Sequence, residues 1–156
     1  MNCLKKLLVV ASIGVLAFAF TGCGQKNVEG KLSDLIDKIY ADIPEDKFPM
    51  GLEKMEVTEE NVVRFLGTSD IEYKEALASE SMIGSIPYSV VLLRVKDGAD
   101  VEKVKKQIKE NVNPRKWICV WVEEENVIVD SKGDLVILIM SNDLAADIQK
   151  GFQKLK

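Results

Sequence analysis

Histidine is absent from all 156 residues, and only three cysteines, four prolines and two tryptophans occur. Without histidine the chain lacks the usual base for a serine or cysteine nucleophile and the usual nitrogen ligand for zinc or copper. Acidic residues are missing too, but only locally: none precedes Cys23, whereas Lys5 and Lys6 do. Basic side chains are nowhere in large excess, and the net charge of -4 argues against nucleic acid, whose recognition wants a concentrated basic surface.

Apolar runs long enough to cross a bilayer are lacking as well. Leu7 to Phe20, "LLVVASIGVLAFAF", has fourteen residues. That is roughly 21 Å of helix, where a bilayer core of about 30 Å needs roughly twenty residues. Lysines before the run and small residues after it make a secretory signal peptide. Its end, Phe20-Thr21-Gly22-Cys23, resembles the bacterial lipobox, with phenylalanine where leucine is usual. The resemblance implies diacylglyceryl transfer to the Cys23 sulfur, cleavage before Cys23 and acylation of the new amine. The expected layout is a signal peptide at 1–22, acylated Cys23 with a short polar tether at 23–30, and one domain at 31–156. Removing the signal leaves 19 basic against 25 acidic side chains, and leaves Cys119 with no partner for an internal disulfide.

What is present is hydrophobic periodicity. Leu32, Leu35, Ile36, Ile39 and Tyr40 predict a first helix over about 32–41. A loop from Asp42 to Glu56 follows, then a short helix capped by Thr58 and closed by Gly67. The stretch Ile71–Ser79 reads as strand or helix. Tyr88–Lys96, apolar on both faces, predicts a central strand. After the Asp97-Gly98 turn, Asp100 caps a helix whose Val101, Val104, Ile108 and Val112 face inward. Three strands are then expected, "KWICVWVE", "NVIVDS" and "DLVILIM", with a hairpin turn at Ser131–Gly133. A last helix, capped by Ser141 or Asn142, carries Leu144, Ile148, Phe152 and Leu155. The order predicts an α+β fold, a mostly antiparallel sheet of four to five strands with helices packed on it, and room for one parallel pair across 88–122.

Little of this points to chemistry. Cys119 is expected buried in mid-strand between Trp117 and Trp121, where nothing activates a thiol. Ser79, Ser81, Ser85 and Ser89 match no nucleophile motif. "EEENVIVDSKGD" lacks the calcium-loop pattern, so no metal and no cofactor is expected. Glu72 and Glu75 would share one face if their segment were helical. Lys103, Lys105, Lys106, Lys109, Arg115 and Lys116 are the one local basic concentration, read either as a solvated helix face or as a contact for anionic headgroups. Ala78–Ser89, with Glu80, Met82, Ile83 and Tyr88, reads as a binding segment or as a plain hairpin connection.

The stretches "YKEALASESMIGSIPYSVVLLRVKDGADVEKVKKQIKENVNPRKWICV" and "NVIVDSKGDLVILIM" resemble an uncharacterised family of small lipoproteins from clostridia-like Gram-positive bacteria, a domain of unknown function. The resemblance implies the outer face of the cytoplasmic membrane and carries over no catalytic residue, substrate or cofactor. The expected function is a lipid-anchored module that binds an envelope protein or a small ligand. The alternative is a carboxylate- or lysine-dependent enzyme acting on cell-envelope substrates.

Overall fold

A computed structural model describes residues 26–156; the expected signal peptide and Cys23 lie outside the described residues. The organising element is β3 (Tyr88–Val95), whose apolar residues point to both sides and so demand cover on both. It pairs with β2 (Tyr73–Ser81) on one side and β5 (Leu135–Ser141) on the other. β1 (Leu52–Glu56) flanks β2, and β4 (Val127–Lys132) flanks β5, giving the order β1-β2-β3-β5-β4 with every pair antiparallel. The expected α+β class is therefore observed, in one five-stranded sheet.

Each face of the sheet has its own core. Val90, Leu92, Ile137 and Ile139 pack under α1 (Leu32–Tyr40) and α4 (Ala145–Gln153), which supply Leu35, Ile36, Ile148 and Phe152. On the opposite face Val91, Leu93, Leu138 and Met140 meet α2 (Val62–Leu66) and α3 (Val101–Asn111) through Phe65, Val104 and Ile108. Each such side chain contributes about 1.5–3 kcal/mol when fully buried. Asp100 caps α3 as expected, its carboxylate accepting from the Lys103 amide at 3.1 Å. Gly67 closes α2 at a φ of 81° and Gly133 turns the β4–β5 hairpin at 58°, both left-handed positions that favour glycine.

Several expectations are corrected. β1 lies inside the stretch read as a loop; it is an exposed edge strand, "LEKME", without an apolar stripe to announce it. The ambiguous stretch after Ile71 is strand β2. Thr58 caps nothing with its side chain; its carbonyl accepts from the Asn61 and Val62 amides, and α2 starts only at Val62. No parallel pair forms, because the chain leaving α3 crosses to the sheet edge and returns through β4.

The largest departure is "KWICVWVE", which forms no strand. Both neighbours of β3 are already taken, so this run instead crosses the α2/α3 face of the sheet. Its loop closes where the Val122 amide donates to the Pro114 carbonyl at 3.0 Å. Trp117 and Val122 enter the core, whereas Ile118 is 70% exposed and Trp121 42%. Cys119 is exposed, not buried, at a φ of 61°, the one non-glycine positive φ among the described residues. Ser141 does help the final helix, its hydroxyl accepting from the Leu144 amide. Asn142 does not cap it; its side chain binds the Trp121 carbonyl and the Glu123 amide, fastening the irregular segment to the end of β5.

Residues 26–30 of the expected short polar tether pack against the domain. Val28 is buried, and the Arg94 guanidinium donates to the Val28 carbonyl at 2.9 Å and the Gly30 carbonyl at 3.0 Å. The same guanidinium bridges Asp134 and Glu75. The chain thus enters at the end of the sheet where β3 finishes and the β4–β5 hairpin turns.

Candidate functional site

The opposite end of the sheet holds the residues that the sequence singled out in Ala78–Ser89. β2 ends at Ser81 and β3 begins at Tyr88, so the segment is two strands and the loop joining them. Strand alternation sends Glu80 and Tyr88 to opposite faces.

Glu80 is fully buried beside the α2/α3 core. It accepts from Arg64 Nη2 at 2.6 Å and from Lys116 Nζ at 2.6 Å, and Lys116 also reaches Ser89 Oγ at 3.2 Å. The ammonium lies about 5 Å from the ring centres of both Phe65 and Trp117. Burial pushes Lys116 below the ordinary lysine value, and the Glu80 carboxylate opposes that shift. With the lysine side chain only 8% exposed and the glutamate 1%, this pair is shut away from any substrate. Its role is to clamp the irregular segment onto the sheet.

Tyr88 faces the other core, where its hydroxyl donates to the Tyr40 hydroxyl at 2.9 Å. Burial pushes Tyr40 up to about 12 and moves Tyr88 upward as well. Neither hydroxyl is positioned as a catalytic base at neutral pH.

Above these buried groups sits an apolar tip. Met82 is 58% exposed and Ile83 38%, and the sequence had marked both. The structure adds Met50, 74% exposed, and Ile118. The Met82 amide donates to the Gly51 carbonyl at 2.8 Å, and a Cβ on Gly51 would lie 3.4 Å from Ile83 Cγ1. The Ile118 amide donates to the Gly84 carbonyl at 2.8 Å, and a Cβ on Gly84 would lie 3.2 Å from Ile118 Cδ1. Three chain segments therefore converge, with Trp121 beside them carrying Arg115 over its ring at 4.9 Å. Local sequence gave no sign of this, since the partners are about 30 positions apart.

The basic concentration expected around α3 is dispersed. Lys105 and Lys106 pair with Glu102 and Glu110 on their own helix, Lys109 donates to the Val127 carbonyl, Arg115 stacks on Trp121 and Lys116 is buried. Lys103 alone is simply exposed. Glu72 and Glu75 lose their shared helical face because β2 is a strand, and Glu75 is bound to Arg94 at 3.0 Å. Among the described residues no group of three acidic or sulfur ligands could hold a metal ion. No helix among them is long and apolar enough to cross a membrane. A recess of about 570 Å³ between Glu59, Ser69, Tyr73, Lys74 and Lys96 is open and polar, and its Lys74 is held by Asp97. The strongest site is the apolar tip. No protein-family model, curated protein or solved structure matches this chain.

Proposed function

We propose that the chain is a lipid-anchored envelope protein, held by acylated Cys23 at the outer face of the cytoplasmic membrane, whose domain binds another envelope protein through the apolar tip. The observation that carries this reading is the tip itself: Met50, Met82, Ile83 and Ile118 exposed together on three converging segments. Isolated exposed apolar side chains are ordinary, but a gathered group rimmed by polar residues marks an interaction surface. Methionine suits such a surface because its unbranched, polarisable side chain adapts to its partner. The lipobox-like Phe20–Cys23 and the resemblance to small lipoproteins support the anchor. The enzyme alternative draws no support from Lys116, which is buried, or from Glu75, which is bound to Arg94.

The test is in-cell photocrosslinking from a reactive residue at position 82 of the full chain. A discrete crosslinked partner is expected, weakened about tenfold or more by Ile118→Glu, as for a central interface residue. Ile118 is largely solvated, so the variant should melt like the parent. Crosslinks that are unchanged by Ile118→Glu would overturn the proposal.

A further inference from the structure

We infer that the lower end of the groove between α1 and α4 is the face that the domain turns to an anionic bilayer surface. This rests on the lipid-anchor reading and replaces the α3 patch with a different set of lysines. Lys38, Lys154 and Lys156 rim a notch whose floor is Leu35, Gly151 and Leu155. Lys31 immediately precedes α1, and its carbonyl accepts from the Leu35 amide at 3.0 Å. Lys150, one turn before Lys154, adds to this face; both draw the Asp42 carboxyl below its usual range, Lys154 most strongly through a direct hydrogen bond.

Charge and chain position agree on the occupant. Lys154 is bridged to Asp42, whereas Lys31, Lys38, Lys150 and Lys156 make no ion pair among the described residues. Counting Lys26, Lys132 and the Arg94 that binds the entering backbone, eight cations share this corner with seven carboxylates, Glu29, Asp34, Asp42, Glu75, Asp130, Asp134 and Asp147. The rest of residues 26–156 carries eleven basic against eighteen acidic side chains. An anionic surface would attract this corner and repel the remainder.

The first described residues also lie here. Lys26 lies against Gly133, and Lys132 at that turn donates to the Gln153 carbonyl near the end of α4. Cys23 is three residues away, a reach of about 10 Å when fully extended. A lipid attached to Cys23 therefore holds this corner, and no other, within reach of the headgroups. Each lysine close to an anionic surface gains roughly fivefold in binding. The apolar floor gives acyl-chain methylenes and lysine stems a surface to lie on.

The test uses the full acylated chain reconstituted into vesicles of phosphatidylcholine alone or with about 30% phosphatidylglycerol. A membrane-impermeant amine reagent is followed by mass spectrometry, which also reads the mass of the Cys23 peptide. Lys38 and Lys156 should label about fivefold more slowly on the anionic vesicles, with the difference removed by high salt. Lys103 and Lys106 should label equally on both. Equal labelling of Lys38 and Lys156 on the two vesicles, or protection of Lys103 and Lys106 instead, would overturn the inference. If the Cys23 peptide carries no lipid, the anchor reading fails separately, and the notch is judged by whether Lys38→Glu with Lys156→Glu abolishes salt-sensitive vesicle binding. Binding that survives both substitutions would refute it.

Discussion

Two buried polar clusters sit at the same end of the sheet, one on each face, and they respond oppositely to base. The Tyr40 hydroxyl ionises at about 12 in the fold, because burial disfavours its anion, against about 10 for an exposed tyrosine. Tyr88 moves in the same direction. Between those two values the unfolded chain has lost protons that the fold still holds, so stability falls as pH rises above 10. Lys116 works the other way. Its folded value lies below 10.5, the unfolded chain then binds more protons, and rising pH favours the fold. Substituting both tyrosines isolates the first effect. The double variant Tyr40→Phe, Tyr88→Phe should lose the hydroxyl pair, at about 1 kcal/mol near neutrality, yet fall less steeply in alkali. Thermal melts from about pH 9 to about pH 11 check this, and parallel curves for parent and variant would contradict it. The Glu80–Lys116 pair stands on different ground, since removing Glu80 strands the buried Lys116 charge at a cost of roughly 3 kcal/mol, whereas Glu80 keeps Arg64 when Lys116 is removed.

The packing of whole elements turns on Gly151. It lies inside α4, where alanine would ordinarily add about 1 kcal/mol of helix propensity. Here a Cβ would stand 2.1 Å from the Ile39 carbonyl oxygen of α1, closer than any real contact. Gly151→Ala should therefore force α1 off α4 and cost roughly 2 kcal/mol net, read as a lower urea midpoint. A stabilised variant would deny this close approach of the two helices. Elements whose apolar residues recur at one period were legible in the sequence: α1, α3, α4, β3 and the β4–β5 hairpin. β1 was not, because an exposed edge strand of "LEKME" carries charge where a stripe would be. The run 117–122 was misread for the converse reason. Its tryptophans, valines and isoleucine have strand composition, but β3 already had both neighbours, and tertiary context overrode local preference. Ile118 was lost with it, and Met50 with the stretch before β1. Met82 and Ile83 could be named from their own segment, whereas Met50 and Ile118 join them only through contacts that folding creates.

At the scale of the molecule, the two ends of the sheet are assigned to different neighbours. β3 runs from Tyr88 at the tip to Val95 beside the entry point, and at ~3.3 Å per residue it spans roughly 23 Å. With the connecting loops, the tip stands on the order of 30 Å from Gly133. A lead of about 10 Å from Cys23 to Lys26 is too short for the domain to invert and point its tip into the lipid. If the proposed anchor holds, a partner of an upright domain's tip would reach down from above or stand beside it. Cys119 supplies a probe for this, being an exposed thiol next to Ile118. A donor dye on Cys119 of the reconstituted, acylated chain, paired with headgroup acceptors whose Förster distance is well below the height of the tip, should transfer energy only weakly, as for a height of roughly 30 Å or more. A donor placed by Ser33→Cys on α1, two residues from Lys31, should transfer strongly if the proposed anchor holds that corner at the lipid. Strong transfer from Cys119 would place the apolar tip in the membrane and make the bilayer, not a protein, the surface that Met82 and Ile118 touch.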